Sequence, residues 1–169
     1  MKQWPKPDLA SLRNFYGKHE LGLDGLPTES WQSRHLTQIT PPYPMVLAWQ
    51  TEQAIRKITC HREVSASLGN ILHKILEHYG SNEEVTKHGL HLYGGCYNYR
   101  AIRGSANLSM HAWGAAIDID PSGNPMTSKA NTHFSMPMEV VKIFKDEGWA
   151  WGGDYHGRKD YMHLEAITR

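Results

Sequence analysis

Long apolar runs are missing from this chain. No stretch approaches the ~20 consecutive apolar residues that a membrane-spanning helix needs, so no membrane insertion is expected. Cysteine is scarce as well. Cys60 and Cys96 are the two thiols in 169 residues; they stand far apart and form no Cys-x-x-Cys pair. Two unpaired thiols are therefore expected, not a disulfide framework or a thiolate metal cluster. An excess of one charge is also absent: 18 basic against 17 acidic side chains leave a formal charge of +1. That removes any global electrostatic argument for nucleic acid or for an anionic membrane surface as partner. The opening Met1-Lys2-Gln3-Trp4-Pro5-Lys6-Pro7 lacks the apolar stretch of a secretory leader, which points to synthesis in the cytoplasm as a soluble protein. There is no internal repeat and no low-complexity tract, and 169 residues suit one domain with a proper core.

What the chain does have is periodicity. Val64, Leu68, Ile71, Leu72, Ile75 and Leu76 recur at three- and four-residue steps between Glu63 and Tyr79, and Gly80 supplies a stop, so this segment reads as a core-facing helix. Pro137 at a first helical position, Val140, Val141 and Phe144 on one face, and Gly148 as terminator give a second. Leu9, Leu12 and Phe15-Tyr16 suggest a short amphipathic piece, and Trp49 to about Thr59 reads as a weakly periodic helix. Pro41-Pro42-Tyr43-Pro44 marks an extended connection. Strands are expected at His91-Leu92-Tyr93, Ala115 to Ile119 and Met162 to Ala166. Helices and strands mix without a regular βαβ alternation, which predicts an α+β fold with a small antiparallel sheet flanked by helices.

The chemistry concentrates in Ser109-Met110-His111-Ala112-Trp113-Gly114-Ala115-Ala116-Ile117-Asp118 and in Asp160-Tyr161-Met162-His163. His111, Asp118 and His163 are two imidazoles and a carboxylate, a donor set that holds catalytic Zn²⁺ with a fourth position open to water. Asp160, three residues before His163, can serve as the base for that water. His111 and Asp118 are seven apart, so one straight strand would send them to opposite faces, and the chain must bend between them. Gly114 permits the bend. Asp120 shares the strand parity of Asp118 and is the rival ligand, but Pro121 suggests that the strand is ending there. Glu165 is a second candidate base, or a partner to an imidazole N–H. Ser109 is left unassigned, and Trp113, Trp149 and Trp151 read as core packing before a ligand wall. The other histidines lack partners at ligand spacing, although His156 is near enough in sequence to line a cleft.

The pattern Ser-x-His-x-x-Gly-x-Ala-x-Asp followed by acidic-x-x-His resembles the VanY-like D-alanyl-D-alanine carboxypeptidases and their phage endolysin relatives among the LAS-type zinc peptidases. The likeness extends over Gly94 to Arg100 and Gly148 to Gly153, covering roughly the C-terminal half. It implies a hedgehog or D-Ala-D-Ala peptidase-like fold, one catalytic zinc ion on His111, Asp118 and His163, Asp160 as general base, and a substrate-facing arginine at Arg100, with Arg103 as its competitor, to steady a carbonyl oxygen as it becomes an oxyanion or to hold a carboxylate. Where more distant relatives have a catalytic histidine, two before the second ligand, this chain has Tyr161, so assistance by a histidine there is excluded. Residues 1–60 carry no recognisable chemistry and are expected to pack, within a single domain 1–169, on a catalytic core of 61–169. The implied activity is hydrolysis of the peptidoglycan stem peptide, either as a D-alanyl-D-alanine carboxypeptidase or as an endolysin-type L-alanyl-D-glutamate endopeptidase. The implied protein is a monomer, let out to the cell wall by a holin-type partner. A virion-associated wall-degrading component and an inactive zinc-containing wall-binding module are the alternatives.

Overall fold

A computed structural model describes residues 3–169; Met1 and Lys2, the start of the stretch read for a leader, lie outside it. The chain runs α1 (Leu9–Tyr16), α2 (Glu29–His35), β1 (Leu36–Ile39), β2 (Met45–Leu47), β3 (Gln50–Ile55), β4 (Ile58–His61), α3 (Arg62–Tyr79) and α4 (Asn82–Lys87). It continues with β5 (Leu92–Gly95), a 3₁₀ turn (Met110–Trp113), β6 (Ala116–Ile119), β7 (Met126–Thr127), α5 (Met138–Asp146) and β8 (Ala150–Trp151). A second 3₁₀ turn (Gly152–Asp154), β9 (Lys159–Asp160) and β10 (His163–Glu165) complete it. The class is α+β, as expected. The main sheet has the order β3-β2-β5-β6-β10-β8, and the pairs β1-β4 and β7-β9 form two small ladders.

The sheet is not purely antiparallel, because β2 pairs with β5 in parallel through Val46↔Leu92 and Leu47↔Tyr93. A parallel pair needs a long crossover, and β3, β4, α3 and α4 supply it. The apolar stripe of α3 is the reason that this crossover folds back. Val64, Leu68, Ile71, Leu72 and Ile75 are all fully buried, each contributing about 1.5–3 kcal/mol. The helix packs against β1, β4, α4 and α5. Gly80, at φ 75°, closes it by donating its N–H to Leu76 O. In α5 the buried face is Val140, Val141 and Phe144, and Pro137, expected as the first helical residue, is the cap just before the helix begins at Met138.

The stretch from Trp49 to Thr59 is not a helix. It forms β3 and β4. Its apolar residues never completed a 3.6-residue stripe, while Thr51, Ile55, Ile58 and Thr59 are β-branched and suit a pleated surface. Because β3 is an edge strand with its first five residues exposed, it carries polar side chains in place of the alternation that marks a half-buried strand.

Residues near the start of the chain brace the 3₁₀ turn that carries His111. Trp113 Nε1 donates to Gly17 O at 3.0 Å, and His19 Nε2 donates to Ala112 O at 2.8 Å. His61 Nε2 in turn donates to Tyr16 O at 2.9 Å, and Tyr16 Oη donates to Ala166 O at 2.6 Å. Trp4 and Pro5 reach the other end, with Trp4 Nε1 on Glu147 O and Thr168 N–H on Pro5 O. The His111 turn ends at Gly114, whose φ of 67° is left-handed and whose added Cβ would stand 3.0 Å from His61 N and 3.2 Å from Cys60 C. Strain and contact act together there. Gly114→Ala is expected to destabilise the fold by about 1–3 kcal/mol, read as a lower urea midpoint; an unchanged midpoint would show that the turn is not constrained as described.

Candidate active site

His111 lies on the 3₁₀ turn, Asp118 on β6 and His163 on β10. Gly114 makes the bend that the seven-residue separation demands. In the antiparallel ladder His163 stands directly opposite Asp118, which puts both side chains on one face of the sheet. All three residues are buried. His111 Nε2 is 3.1 Å from His163 Nδ1 and 3.1 Å from Asp118 Oδ1, and His163 Nδ1 is 2.9 Å from Asp118 Oδ1.

The far sides of both rings fix which atoms face inward. His111 Nδ1 lies 2.7 Å from Cys96 O, and since a carbonyl only accepts, this nitrogen carries the proton and Nε2 presents a lone pair. His163 Nε2 faces Glu165 Oε2 at 3.4 Å, leaving Nδ1 as its inward lone pair. Two imidazole lone pairs and a carboxylate oxygen thus meet in a triangle with edges near 3 Å. They repel one another unless a positive charge sits among them. A tetrahedral ion with ligands at about 2.0–2.1 Å would hold donors roughly 3.3 Å apart, so the set fits a divalent metal with little adjustment.

Electrostatics give the same picture. Burial works against the charge on Asp118, but hydrogen bonds with His111 and His163 hold its carboxyl below the usual range. Burial also opposes charge on His163, yet Asp118 and Glu165 push its pKa up to about 10. In the absence of metal, a proton is what those three groups would share. Glu165 is itself fixed from two more directions: Tyr155 Oη donates to Oε1, and Arg169 Nε and Nη2 approach Oε1 at 3.2 and 3.1 Å. The Arg169 guanidinium also stacks 4.3 Å from the Tyr155 ring centroid.

Asp160 occupies the junction of two depressions. It lines a recess of about 140 Å³ with His163, Met110 and Leu108, and a groove of about 620 Å³ with Asp118, Gly94 and Met126. Its Oδ1 is buried without a hydrogen-bond partner among the described residues. Burial raises its pKa, with the Asp118 carboxylate adding to the effect, while His163, His111 and the Arg100 guanidinium oppose it. Gly152 backs it closely, since an added Cβ would lie 2.3 Å from Asp160 O. Arg100 and Arg103 are both exposed and line both depressions.

The remaining sequence candidates go elsewhere. Asp120 has φ 44° and spends its carboxylate on Ser122 Oγ, Gly123 N–H and Ser135 Oγ, so it shapes a turn after β6 and does not join the cluster. Ser109 Oγ accepts from His111 N–H and caps the 3₁₀ turn. Trp113, Trp149 and Trp151 are buried. The Tyr161 ring stacks on Phe134 at 4.3 Å. His156 is exposed beside Lys6 and Asp8 and does not join the cluster. Sequence reasoning missed the Cys96 carbonyl, Tyr155 and Arg169; the first has no side-chain signature, and the other two meet Glu165 from the loop before β9 and from the coil after β10.

If a metal displaces the proton held at His163, binding of a divalent ion at pH 7 should release about one proton. Calorimetry in buffers of different ionisation enthalpy measures this. The apparent affinity should rise with pH until about 10, where His163 is already neutral. Arg169→Ala, which loosens Glu165, should weaken metal binding roughly 10–100-fold by chelator competition.

Residues 103–166 match a family model described as D-alanyl-D-alanine carboxypeptidase. The matched span includes His111, Asp118, Asp160, His163 and Glu165, and begins after Arg100. No curated protein and no solved structure matches the chain significantly.

Proposed function

We propose that the chain is a zinc-dependent peptidase that hydrolyses the stem peptide of bacterial peptidoglycan, in the manner of an endolysin or a D-alanyl-D-alanine carboxypeptidase. The observation that carries this reading is the meeting of three lone pairs, from His111 Nε2, His163 Nδ1 and Asp118 Oδ1, with the half-buried Asp160, whose Oδ1 has no hydrogen-bond partner among the described residues, lining the same groove as Asp118. The family match over residues 103–166 supports it.

His111, Asp118 and His163 would hold the ion, which supplies Lewis acidity that makes water a nucleophile near neutral pH and polarises the scissile carbonyl. Asp160 takes the proton that water loses as its oxygen bonds to the carbonyl carbon. As the C–N bond breaks, Asp160 returns that proton to the departing amine. Arg100, at the same junction, donates to the carbonyl oxygen as negative charge grows on it. Glu165 keeps the His163 ring oriented through Nε2, and Tyr155 and Arg169 keep Glu165 in place. Burial around Asp160 makes it a stronger base than a solvated aspartate, at the cost of keeping it protonated to a higher pH.

Retention of Asp160 separates a working peptidase from a binding module that has kept only its metal. Asp160→Ala is expected to retain the metal and lose about 10²–10⁴-fold in kcat, whereas His111→Ala should lose both. Arg100→Ala should lose about 10²–10³-fold with the metal retained. The acid limb of the pH profile should lie above the ordinary aspartate pKa of about 3.9, since activity falls as pH drops through the raised value and protonates the base. Products released from purified peptidoglycan identify the bond: free D-alanine marks the carboxypeptidase, and a new D-glutamate terminus marks the endopeptidase. Full wall-degrading activity in metal-loaded Asp160→Ala would remove the base assignment.

A further inference from the structure

Five of the six tryptophans are buried, with exposures of 4% or less; Trp49 is 69% exposed. It has no aromatic ring partner among the described residues. Its position is not a loose end. Ala48 and Trp49 form the two-residue connection between β2 and β3, where Leu47 pairs with Gln50. That hairpin is fastened to β5 by Val46 N–H on His91 O at 2.9 Å and Ala48 N–H on Tyr93 O at 3.0 Å. The same strand, β5, ends at Gly94-Gly95, beside Asp118. One short strand therefore fixes the spacing between an exposed indole and a residue of the metal cluster.

The groove of about 620 Å³ is lined by both of them. Asp118, Asp160, Arg100 and Arg103 are its charged lining, and Trp49 lines it too. The other walls come from Gly94, Ala101, Pro121 and Pro125 with two methionines, none of which has a side-chain donor and of which only the methionine sulfurs accept, weakly. The floor at Gly94 is kept flat by contact, since an added Cβ would lie 2.7 Å from Pro121 Cγ and 2.8 Å from Asp118 Cβ. The volume lies within the range of about 300–1,000 Å³ typical of small-ligand sites. An exposed aromatic face that shares one groove with apolar walls and charged side chains suits a ligand with one flat C–H face and polar edges. A pyranose ring has that form.

We propose that Trp49 is the platform of a sugar subsite that binds the amino sugar of the peptidoglycan glycan strand while its attached stem peptide lies across Asp160. This deepens the peptidase reading and rests on it. It implies that the preferred substrate is a stem peptide still joined to its N-acetylmuramic acid, not the free peptide.

The test compares the full, metal-loaded chain and its Trp49→Ala variant on two substrates, a stem peptide carrying N-acetylmuramic acid and the same peptide without the sugar. The variant should raise KM about tenfold on the sugar-bearing substrate with kcat unchanged, leave both constants unchanged on the bare peptide, and regain part of the loss as Trp49→Tyr. The disaccharide N-acetylglucosaminyl-N-acetylmuramic acid alone should shift the fluorescence of the native chain and not that of Trp49→Ala. Equal KM changes on both substrates would place peptide, not sugar, on Trp49 and overturn the proposal, as would no change on either. Sugar-dependent fluorescence without hydrolysis would support the subsite and remove the peptidase reading. Hydrolysis without sugar discrimination would do the reverse.

Discussion

Three lone pairs forced into a triangle of about 3 Å, from His111 Nε2, His163 Nδ1 and Asp118 Oδ1, are the constraint around which the molecule is arranged. Buried together without a cation, they would repel one another at low dielectric. The fold holds them there from outside. The Cys96 carbonyl holds one ring, Glu165 holds the other, and the β6-β10 ladder sets the carboxylate opposite its histidine. Such pre-positioning means that the ion would meet donors that already have the right tautomer and direction.

The support extends far along the chain. Residues from the first helix and the loop after it brace the 3₁₀ turn under His111, through Gly17, His19 and Tyr16. From the other end, Arg169 and Tyr155 converge on Glu165. Segments with no chemical motif of their own thus act on the site through hydrogen bonds to its supports. The hairpin of β2 and β3 does something different: it extends the sheet and carries an exposed indole to the rim of the groove.

How much of this the sequence reveals depends on the range of each interaction. His111, Asp118 and His163 stand in short motifs, and the parity argument already required a bend at Gly114. α3 and α5 are equally plain, because a buried helix face writes its period into the sequence. The edge strand β3 is not, since a strand exposed along most of its length has no apolar alternation to read. Asp120 shared the strand parity of Asp118, but its positive φ takes it out of the strand, and backbone sign at a non-glycine residue is not visible in composition. The Cys96 carbonyl carries no residue-type signal. Arg169 is four residues from Glu165, a spacing that signals contact only on a helix, and here the link is made from a strand and the coil beyond it.

The measurement that bears most directly on the central claim is X-ray absorption spectroscopy of the chain loaded with zinc, together with metal analysis. One ion per chain is expected, with two imidazole nitrogens and one carboxylate oxygen at about 2.0–2.2 Å, a water as the remaining ligand, and loss of this shell in His163→Ala. Sub-stoichiometric zinc, or a shell of oxygen atoms without imidazole scattering, would contradict it.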